Sequence, residues 1–425
     1  MIIVVFLGSL LAAMALGMPI AFALLISAVA MMLQLGLFDS QIIAQNLVGG
    51  VDSFPLMAVP FFMLAGEVMN RGGLSRRVID LALSIVGHLR GGLGYVVIIS
   101  ATLLSAISGS AIADAAALAA LLVPAMVAAG HQPARSAGLV ASSSIIAPVI
   151  PPSIGLVLFG VTANVSITGL FLGGIVPGIV MAMGLTATWF YLANKEKVEL
   201  PARASGKTVL TNVRRAGWAL LMPVIIVFGL KLGVFTPTEA AVVAAVYAIF
   251  VSVVVYRELS LSALFEVFVS AAKSTAMVMF LVGAAVVTSW LIVIADLPVM
   301  LSDLLAPLVG SPQFLMFVIV IIVLLVGTAM DMTPTILILT PVLMPVVREA
   351  GIDPIYFGII FIIANSIGLI TPPVGTVLNA VTGVTRVKME DVIRGANPFL
   401  VAHTAVLILL LLVPQIVTMP LDWMR

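Results

Sequence analysis

Long apolar runs separated by short polar interruptions dominate the chain. Runs of membrane length occur at Ile2–Leu33, Gly174–Ala193, Trp218–Leu232, Ala240–Tyr256, Ala276–Ala295, Phe314–Val326 and Phe399–Val413. None alternates polar and apolar positions as a barrel strand must. They are therefore predicted to span a bilayer as helices, the form that satisfies every backbone group internally. Each half opens with two helices meeting near a proline: Ile2–Leu33 breaks at Gly17-Met18-Pro19, and Trp218–Tyr256 breaks near Thr236-Pro237. A third helix and then an amphipathic stretch follow, rich in charge at Leu74–Leu89 in one half and of mixed polarity at Leu259–Lys273 in the other. Two later apolar segments are interrupted at their middles. Gly94–Ala129 is cut by Ser105-Ala106-Ile107-Ser108-Gly109-Ser110, and Phe314–Ala350 by Gly327-Thr328-Ala329-Met330-Asp331. Both are predicted to be re-entrant hairpins. After each comes a helix broken at a double proline, Ala137–Ala163 at Pro151-Pro152 and Pro354–Val384 at Pro372-Pro373.

These breaks are written twice in one register. Pro124, Gly130, Pro133 and Pro151 recur as Pro345, Gly351, Pro354 and Pro372; 345 − 124 and 372 − 151 both give 221. A duplicated, helix-broken apolar unit points to a secondary transporter with its site at the repeat interface. Charge then orients the halves, because Lys and Arg collect on the cytoplasmic side. Lys195, Lys197, Arg203, Lys207, Arg214 and Arg215 place the linker Asn194–Arg215 inside, and Arg71, Arg76, Arg77 and Arg90 place Arg71–Arg90 inside. The mate of the latter, Ile292–Ser311, has no Lys or Arg and carries Asp296 and Asp303, so it is expected outside. Val165–Gly173 is uncharged, whereas its mate Arg386–Arg394 holds Arg386, Lys388 and Arg394. Two matched segments thus change sides, which argues for an inverted repeat with both termini external. A parallel repeat with scattered charge is the alternative.

Composition narrows the class further. The 425 residues are 62% hydrophobic and 9% charged, with a mean hydropathy of +1.30, whereas soluble domains carry about 25% charged residues. The expected fold is an all-α polytopic membrane protein. A net charge of +1 gives no case for nucleic acid, and with no cysteine there is neither a disulfide framework nor a thiolate metal site. Residues 1–70 hold no Lys or Arg, so no basic n-region of a cleaved signal is legible and the N-terminus is read as mature structure. HExxH, P-loop, GxSxG and Asp-rich metal motifs do not occur. No enzyme activity, no ATP hydrolysis and no cofactor is expected.

The breaks themselves carry the candidate chemistry. Proline frees the carbonyl one turn back, and unpaired backbone at membrane depth must be satisfied by something. Freed carbonyls and hydroxyls suit a hard monovalent cation such as Na⁺, while helix N-termini at the same depth suit a carboxylate. The candidate cation ligands are Ser105, Ser108, Gly109, Ser110 and Pro151 in the first half. In the second they are Gly327, Thr328, Ala329, Asp331, Thr371, Pro372 and Gly375. Ser153 and Thr376 at the breaks, and Ser144 and Asn365, which share the 221 offset, are assigned to the substrate. Asp114 and Asp331 are either N-cap or first-turn acids on the hairpins' second arms, or they coordinate the cation or balance charge at the site. Three rival readings remain at this stage: a passive anion channel, a membrane-embedded enzyme, and a proton-coupled carrier. The scarcity of buried carboxylates and His argues against the last two.

The same residues carry a family resemblance. LGMPIAFAL at Leu16–Leu24, SFPLMAVPFFMLAGEVMNRGGLSRR at Ser53–Arg77, SGSAIADAAALAALLVPAM at Ser108–Met126, APVIPPSIG at Ala147–Gly155 and GIDPIYFGIIFIIANSIGLITPPVG at Gly351–Gly375 together resemble the large permease subunit, called M, of the TRAP (tripartite ATP-independent periplasmic) transporters. The resemblance implies an elevator-type fold in a bacterial inner membrane, driven by a Na⁺ gradient. It implies an organic-anion substrate, either an acidic sugar such as sialic acid or a sugar acid, or a C4-dicarboxylate. It also implies two partners, a small permease subunit (Q) and a periplasmic binding protein (P). By that likeness residues 92–164 and 313–385 would move. Residues 1–91, 165–193, 216–312 and the last helix within 386–425 would be scaffold, with 194–215 as the cytoplasmic linker. The charge pattern, rather than the likeness, suggests the dock for the binding protein: Ile292–Ser311 with Val165–Gly173 and Phe38–Asp52, all expected outside, carry Asp39, Asp52, Asp296 and Asp303 and no Lys or Arg.

Overall fold

The computed structural model describes residues 2–195, 202–297, 299, 300, 305 and 308–424, and every regular element among them is helical. Lys197 and Asp303, used above in the charge argument, lie outside the described residues.

Helices α1 (Ile2–Ala15) and α2 (Ile20–Leu35) turn at Gly17 and pack side by side, tied by Ser27 donating to the Phe6 carbonyl at 2.9 Å. Then come α3 (Ser40–Val51), a 3₁₀ turn (Phe54–Met57), α4 (Ala58–Arg71) and α5 (Leu74–Val86). The first hairpin is α6 (Gly92–Ser108) with α7 (Ala111–Ala128), and the first broken helix is α8 (Pro133–Ser144) with α9 (Ile154–Ala163). Helix α10 (Ile167–Ala193) closes the half. The second half runs through α11 (Gly206–Lys231), α12 (Pro237–Phe250, extended by a π turn at Val251–Val255) and α13 (Leu261–Ile294). The second hairpin is α14 (Pro312–Ala329) with α15 (Met332–Glu349); the second broken helix is α16 (Pro354–Gly368) with α17 (Thr376–Thr385). Helices α18 (Met389–Leu412) and α19 (Gln415–Met424) end the chain. Among the described residues eight helices are long and apolar enough to cross a membrane, or nine if the bent pair α3–α4 counts as one. Side chains such as Leu221, Phe228, Phe265 and Leu325 remain exposed, as expected where lipid is the solvent.

The 221-residue register governs the elements as well as the prolines. From α6/α14 to α10/α18, the starts of the five matched helices agree with it to within one residue. The repeated breakers do matching work. Gly130 and Gly351 both have positive φ, and Pro133 and Pro354 both open a helix, where a missing N–H costs nothing. Packing is reciprocal. Arm α6 lies on α8 as α14 lies on α16; α7 meets α17 as α15 meets α9; α8 meets α18 as α16 meets α10. Contacts that exchange halves in this way describe a two-fold relation between repeats. Phe159, Phe357 and Phe361 interlock where α9 crosses α16, with ring centroids 5.6–6.0 Å apart.

The register fails to preserve shape at one place. Residues 40–71 map onto 261–292, yet the first set bends by 61° between α3 and the segment Phe54–Arg71, while the second lies within the single 34-residue helix α13. Pro55 and the flanking Asp52-Ser53 break the first copy, whereas the matched Lys273-Ser274-Thr275-Ala276 propagate a helix. Two expectations are corrected here. Leu259–Lys273 is no separate amphipathic element; Leu261 onward forms the first turns of α13. The polar linker is shorter than Asn194–Arg215, because Ser205 caps α11 and residues 206–215 are helical, their basic side chains extending the helix beyond its apolar part.

Candidate functional site

The first hairpin turns at Gly109, whose φ of +61° closes α6; its N–H reaches the Ser105 carbonyl at 3.3 Å. Ser110 caps α7 by accepting from the Ala113 N–H at 3.4 Å. Ser108 donates to Asp114 Oδ1 at 2.5 Å and accepts from the Ser110 N–H at 3.2 Å. Asp114 is thus a first-turn acid of α7, buried, with Oδ2 unpartnered among the described residues. Ser105 is also buried, and its hydroxyl folds back on the Ala101 carbonyl at 2.6 Å.

This tip lies against the first break. A Cβ on Gly109 would stand 2.5 Å from the Pro152 carbonyl oxygen and 3.0 Å from Ser153 Cα. Ser153 caps α9, accepting from the Leu156 N–H at 3.2 Å and donating to the Pro148 carbonyl at 2.6 Å. The Pro151-Pro152 and Pro372-Pro373 bonds are both cis.

The second hairpin repeats the arrangement with different atoms. Its tip and break share a backbone hydrogen bond, the Val374 N–H donating to the Thr328 carbonyl at 3.2 Å. Thr376 donates to Asp331 Oδ1 at 3.4 Å. Asp331 takes the N-cap position of α15, although its side chain makes no capping bond along its own chain direction as Ser110 does. Asn365, fully buried, donates to the Met332 carbonyl at 3.2 Å and leaves Oδ1 unpartnered among the described residues. Gly327 sits beside it, and Gly375, with φ of +53°, opens α17. The hydroxyls of Thr328 and Thr371 bond carbonyls of their own helices at 2.8 Å. The two half-sites adjoin: a Cβ on Gly155, just past the first break, would stand 2.8 Å from Met332 Sδ at the second tip.

Most sequence-predicted residues therefore gather around two tip-and-break pairs. Ser108, Gly109, Ser110 and Pro151–Ser153 form one. Gly327, Thr328, Ala329, Asp331, Asn365, Thr371, Pro372, Gly375 and Thr376 form the other. Ser105 stands one turn above its tip. Ser144, fully buried, spends its hydroxyl on the Val140 carbonyl at 2.8 Å. The half-sites differ in access, since Pro151, Pro152 and Ser153 are buried while Ala329, Pro372 and Pro373 are exposed. Sequence reasoning missed Met332, Gly155 and Gly368. Only Gly368 carried a signal, a glycine within the apolar run just before the double proline. His403 of α18 is buried and bonded to the Ser142 carbonyl at 2.9 Å. Of the acids expected outside, Asp39 caps α3 by accepting from the Gln41 N–H at 2.7 Å.

A family model described as "Tripartite ATP-independent periplasmic transporter, DctM component" matches residues 7–416. The chain is 52% identical, over the whole of both chains, to the 2,3-diketo-L-gulonate TRAP transporter large permease protein of Escherichia coli K12. It is 38% identical to the sialic acid TRAP transporter large permease of Vibrio cholerae, covering 94% of this chain and 93% of that one. It is 37% identical to the C4-dicarboxylate TRAP transporter large permease of Pseudomonas aeruginosa, covering 88% and 87%. The crystal structure of the Alcanivorax borkumensis YdaH transporter, described as having an unusual topology, shares the fold with a TM-score of 0.67, at 18% identity over 88% of this chain and 89% of that one. The helix-broken double repeat thus defines a multi-span transport permease. The chain belongs to the DctM family, the large permease component of TRAP transporters. Its relatives are transporter permeases rather than enzymes.

Proposed function

We propose that this chain is the permease of a Na⁺-coupled uptake system of a bacterial inner membrane. It imports a sugar acid handed over by a periplasmic binding protein, works with a small permease subunit, and has both termini outside. The reading rests on the paired tips and breaks, which bring carbonyls, hydroxyls and helix N-termini together in two adjoining half-sites. Oxygen donors suit Na⁺, and N-termini suit a carboxylate. A sugar acid is preferred because the relative matched end to end is named for 2,3-diketo-L-gulonate; sialic acid and C4-dicarboxylates come with lower identities. Coupling also answers an energetic need. If two Na⁺ enter with a monoanion, one net charge moves inward, worth about 2.3 kcal/mol per 100 mV, or roughly fifty-fold accumulation. Proton coupling is the second reading, favoured by one carboxyl at each tip, Asp114 and Asp331.

Transport proceeds, in this reading, by an elevator movement of α6–α9 and α14–α17 against α1–α5 and α11–α13. We draw the boundary differently from the sequence-based division and assign α10 and α18 to the moving body. Gly138 and Gly395 bring α8 and α18 into backbone contact, and Trp189 of α10 is buried on α6, donating to the Gly91 carbonyl at 2.8 Å. The facing surface is lined by small and smooth side chains. Gly50, Ala285, Val286 and Ser289 face Val161, Thr162, Leu337 and Pro341 across a cleft of about 240 Å³. The native chain has no cysteine, so cross-linking tests this directly. A bridge between Ser289→Cys and Leu337→Cys should stop uptake, while one between Arg90→Cys and Asn194→Cys should spare it. Full uptake with the first pair bridged would contradict the elevator reading. Blockage by the second pair alone would restore α10 to the scaffold.

A further inference from the structure

Four arginines gather in one cleft at the polar ends of the helices. The cleft, about 730 Å³, is lined by Arg76, Arg77 and Asp80 of α5, Arg214, Arg215 and Trp218 of α11, and Tyr256 and Glu258 after α12. Of the four arginines, only Arg77 is ion-paired among the described residues. It donates to Glu258 at 2.7 Å, and its guanidinium lies 3.7 Å over the Tyr256 ring. Arg76, Arg214 and Arg215 are exposed and make no ion pair among those residues. Four arginines against Asp80 and Glu258 leave a lining charge of +2.

The walls are fixed by bonds that leave these guanidinium groups unengaged. Asn212 donates to the Asp80 carbonyl at 3.2 Å, Tyr247 to the Trp218 carbonyl at 2.7 Å, and Tyr256 to the Arg215 carbonyl. The cleft is also continuous with the lipid-facing surface. Trp218, Leu221, Val224 and Phe228 form one exposed apolar stripe running down α11 from it. Aromatic residues at such a boundary mark the headgroup level, and arginine presents paired donors that match phosphate oxygens.

We propose that this cleft binds the phosphate headgroup of an acidic phospholipid, with the acyl chains lying along the α11 stripe. The bound lipid bridges α5 to α11 at the rim of the region assigned above to the static scaffold. The inference uses only the membrane-spanning character of the chain and stands whether or not the coupling ion is Na⁺. A soluble phosphate would meet the same arginines but gain nothing from the stripe, and this difference separates the two sources.

Trp218 supplies the probe. The purified full chain is placed in phosphatidylcholine bilayers containing brominated phosphatidylglycerol or, at equal mole fraction, brominated phosphatidylcholine. Brominated phosphatidylglycerol should quench more, the excess should be absent in Trp218→Phe, and it should shrink with added salt. In Arg76→Gln/Arg214→Gln/Arg215→Gln the preference for the acidic lipid should fall by tenfold to on the order of a hundredfold. Should the triple variant not fold, the salt titration of the native chain and the single Arg214→Gln variant give the same test. Equal quenching by both lipids, or an excess unaffected by salt and by the variants, overturns the proposal. So does loss of the excess on adding millimolar inorganic phosphate at constant ionic strength, which would make the site one for free anions. Equal quenching together with a Trp218 emission shift on adding the small permease subunit would assign the cleft to that protein instead.

Discussion

Gly368 of the second broken helix lies backbone to backbone against Gly327 of the second hairpin: a Cβ on Gly368 would stand 2.7 Å from the Gly327 carbonyl carbon and 2.9 Å from its oxygen. The contact seats the hairpin tip on the break. It lets the Val374 N–H reach the Thr328 carbonyl and Asn365 reach the Met332 carbonyl. Backbone cannot yield as a flexible side chain does, so a methyl group here must pry tip from break.

Gly368→Ala is therefore expected to lower the initial uptake rate at least about tenfold at normal membrane abundance, because small misplacements at a site cost heavily. Gly383 on α17 has open space around it, and Gly383→Ala should transport like the native chain. Equal behaviour of the two variants in an uptake assay would show that the tip contact is dispensable.

Asn365 offers a buried, unpartnered Oδ1 beside the second tip. Buried polar atoms without partners cost about 1–3 kcal/mol, a cost a bound ligand would remove. Asn365→Ala should raise the substrate concentration for half-maximal uptake about tenfold or more. An unchanged half-saturation constant with reduced maximal rate would assign Asn365 to holding the hairpin instead.

The two candidate hydroxyls should respond differently to removal. Thr371→Val is nearly isosteric and deletes only a bond back to the Ile367 carbonyl, so any rise in the Na⁺ concentration for half-maximal uptake reports on ion binding. Ser108→Val also strips Asp114 of its one partner among the described residues, so a loss of thermal stability should accompany the altered Na⁺ dependence. If both variants keep native Na⁺ curves, these residues are not ion ligands.

The orientation can be read with thiol reagents. Ser205→Cys, at the start of α11, should react with an impermeant maleimide only after the inner face is opened. Gly310→Cys, with open space around it before α14, should react in intact spheroplasts. Labelling of both in spheroplasts would contradict the inverted arrangement.

The hairpins and broken helices were legible because proline and glycine act locally. Pro133, Pro354, Gly130 and Gly351 mean the same thing in sequence and in space. The 61° bend at Phe54 had a local cause in Pro55 but was hidden, because an apolar run reads alike whether straight or folded. The tip-and-break pairing was legible as a class of residues, not as contacts. Nothing in the sequence near Asn365 says that its amide reaches Met332, or that Thr376 reaches Asp331, since these bonds depend on how two helices cross. The seating of α18 on α8 through Gly138 and Gly395 also escaped the sequence reading, since a glycine shows that backbones can approach closely but not which helix approaches.

The central claim, Na⁺-coupled import through the paired breaks, is tested most directly by uptake into proteoliposomes. These would contain this chain, the proposed small permease subunit and a loaded binding protein, with membrane potential and ion gradients set independently. The account predicts saturable uptake of a sugar acid that requires an inward Na⁺ gradient, accelerates with a negative interior, and persists when the pH gradient is collapsed. Uptake driven by a proton gradient without Na⁺, or a flux that follows the anion's own gradient without saturating, would contradict it.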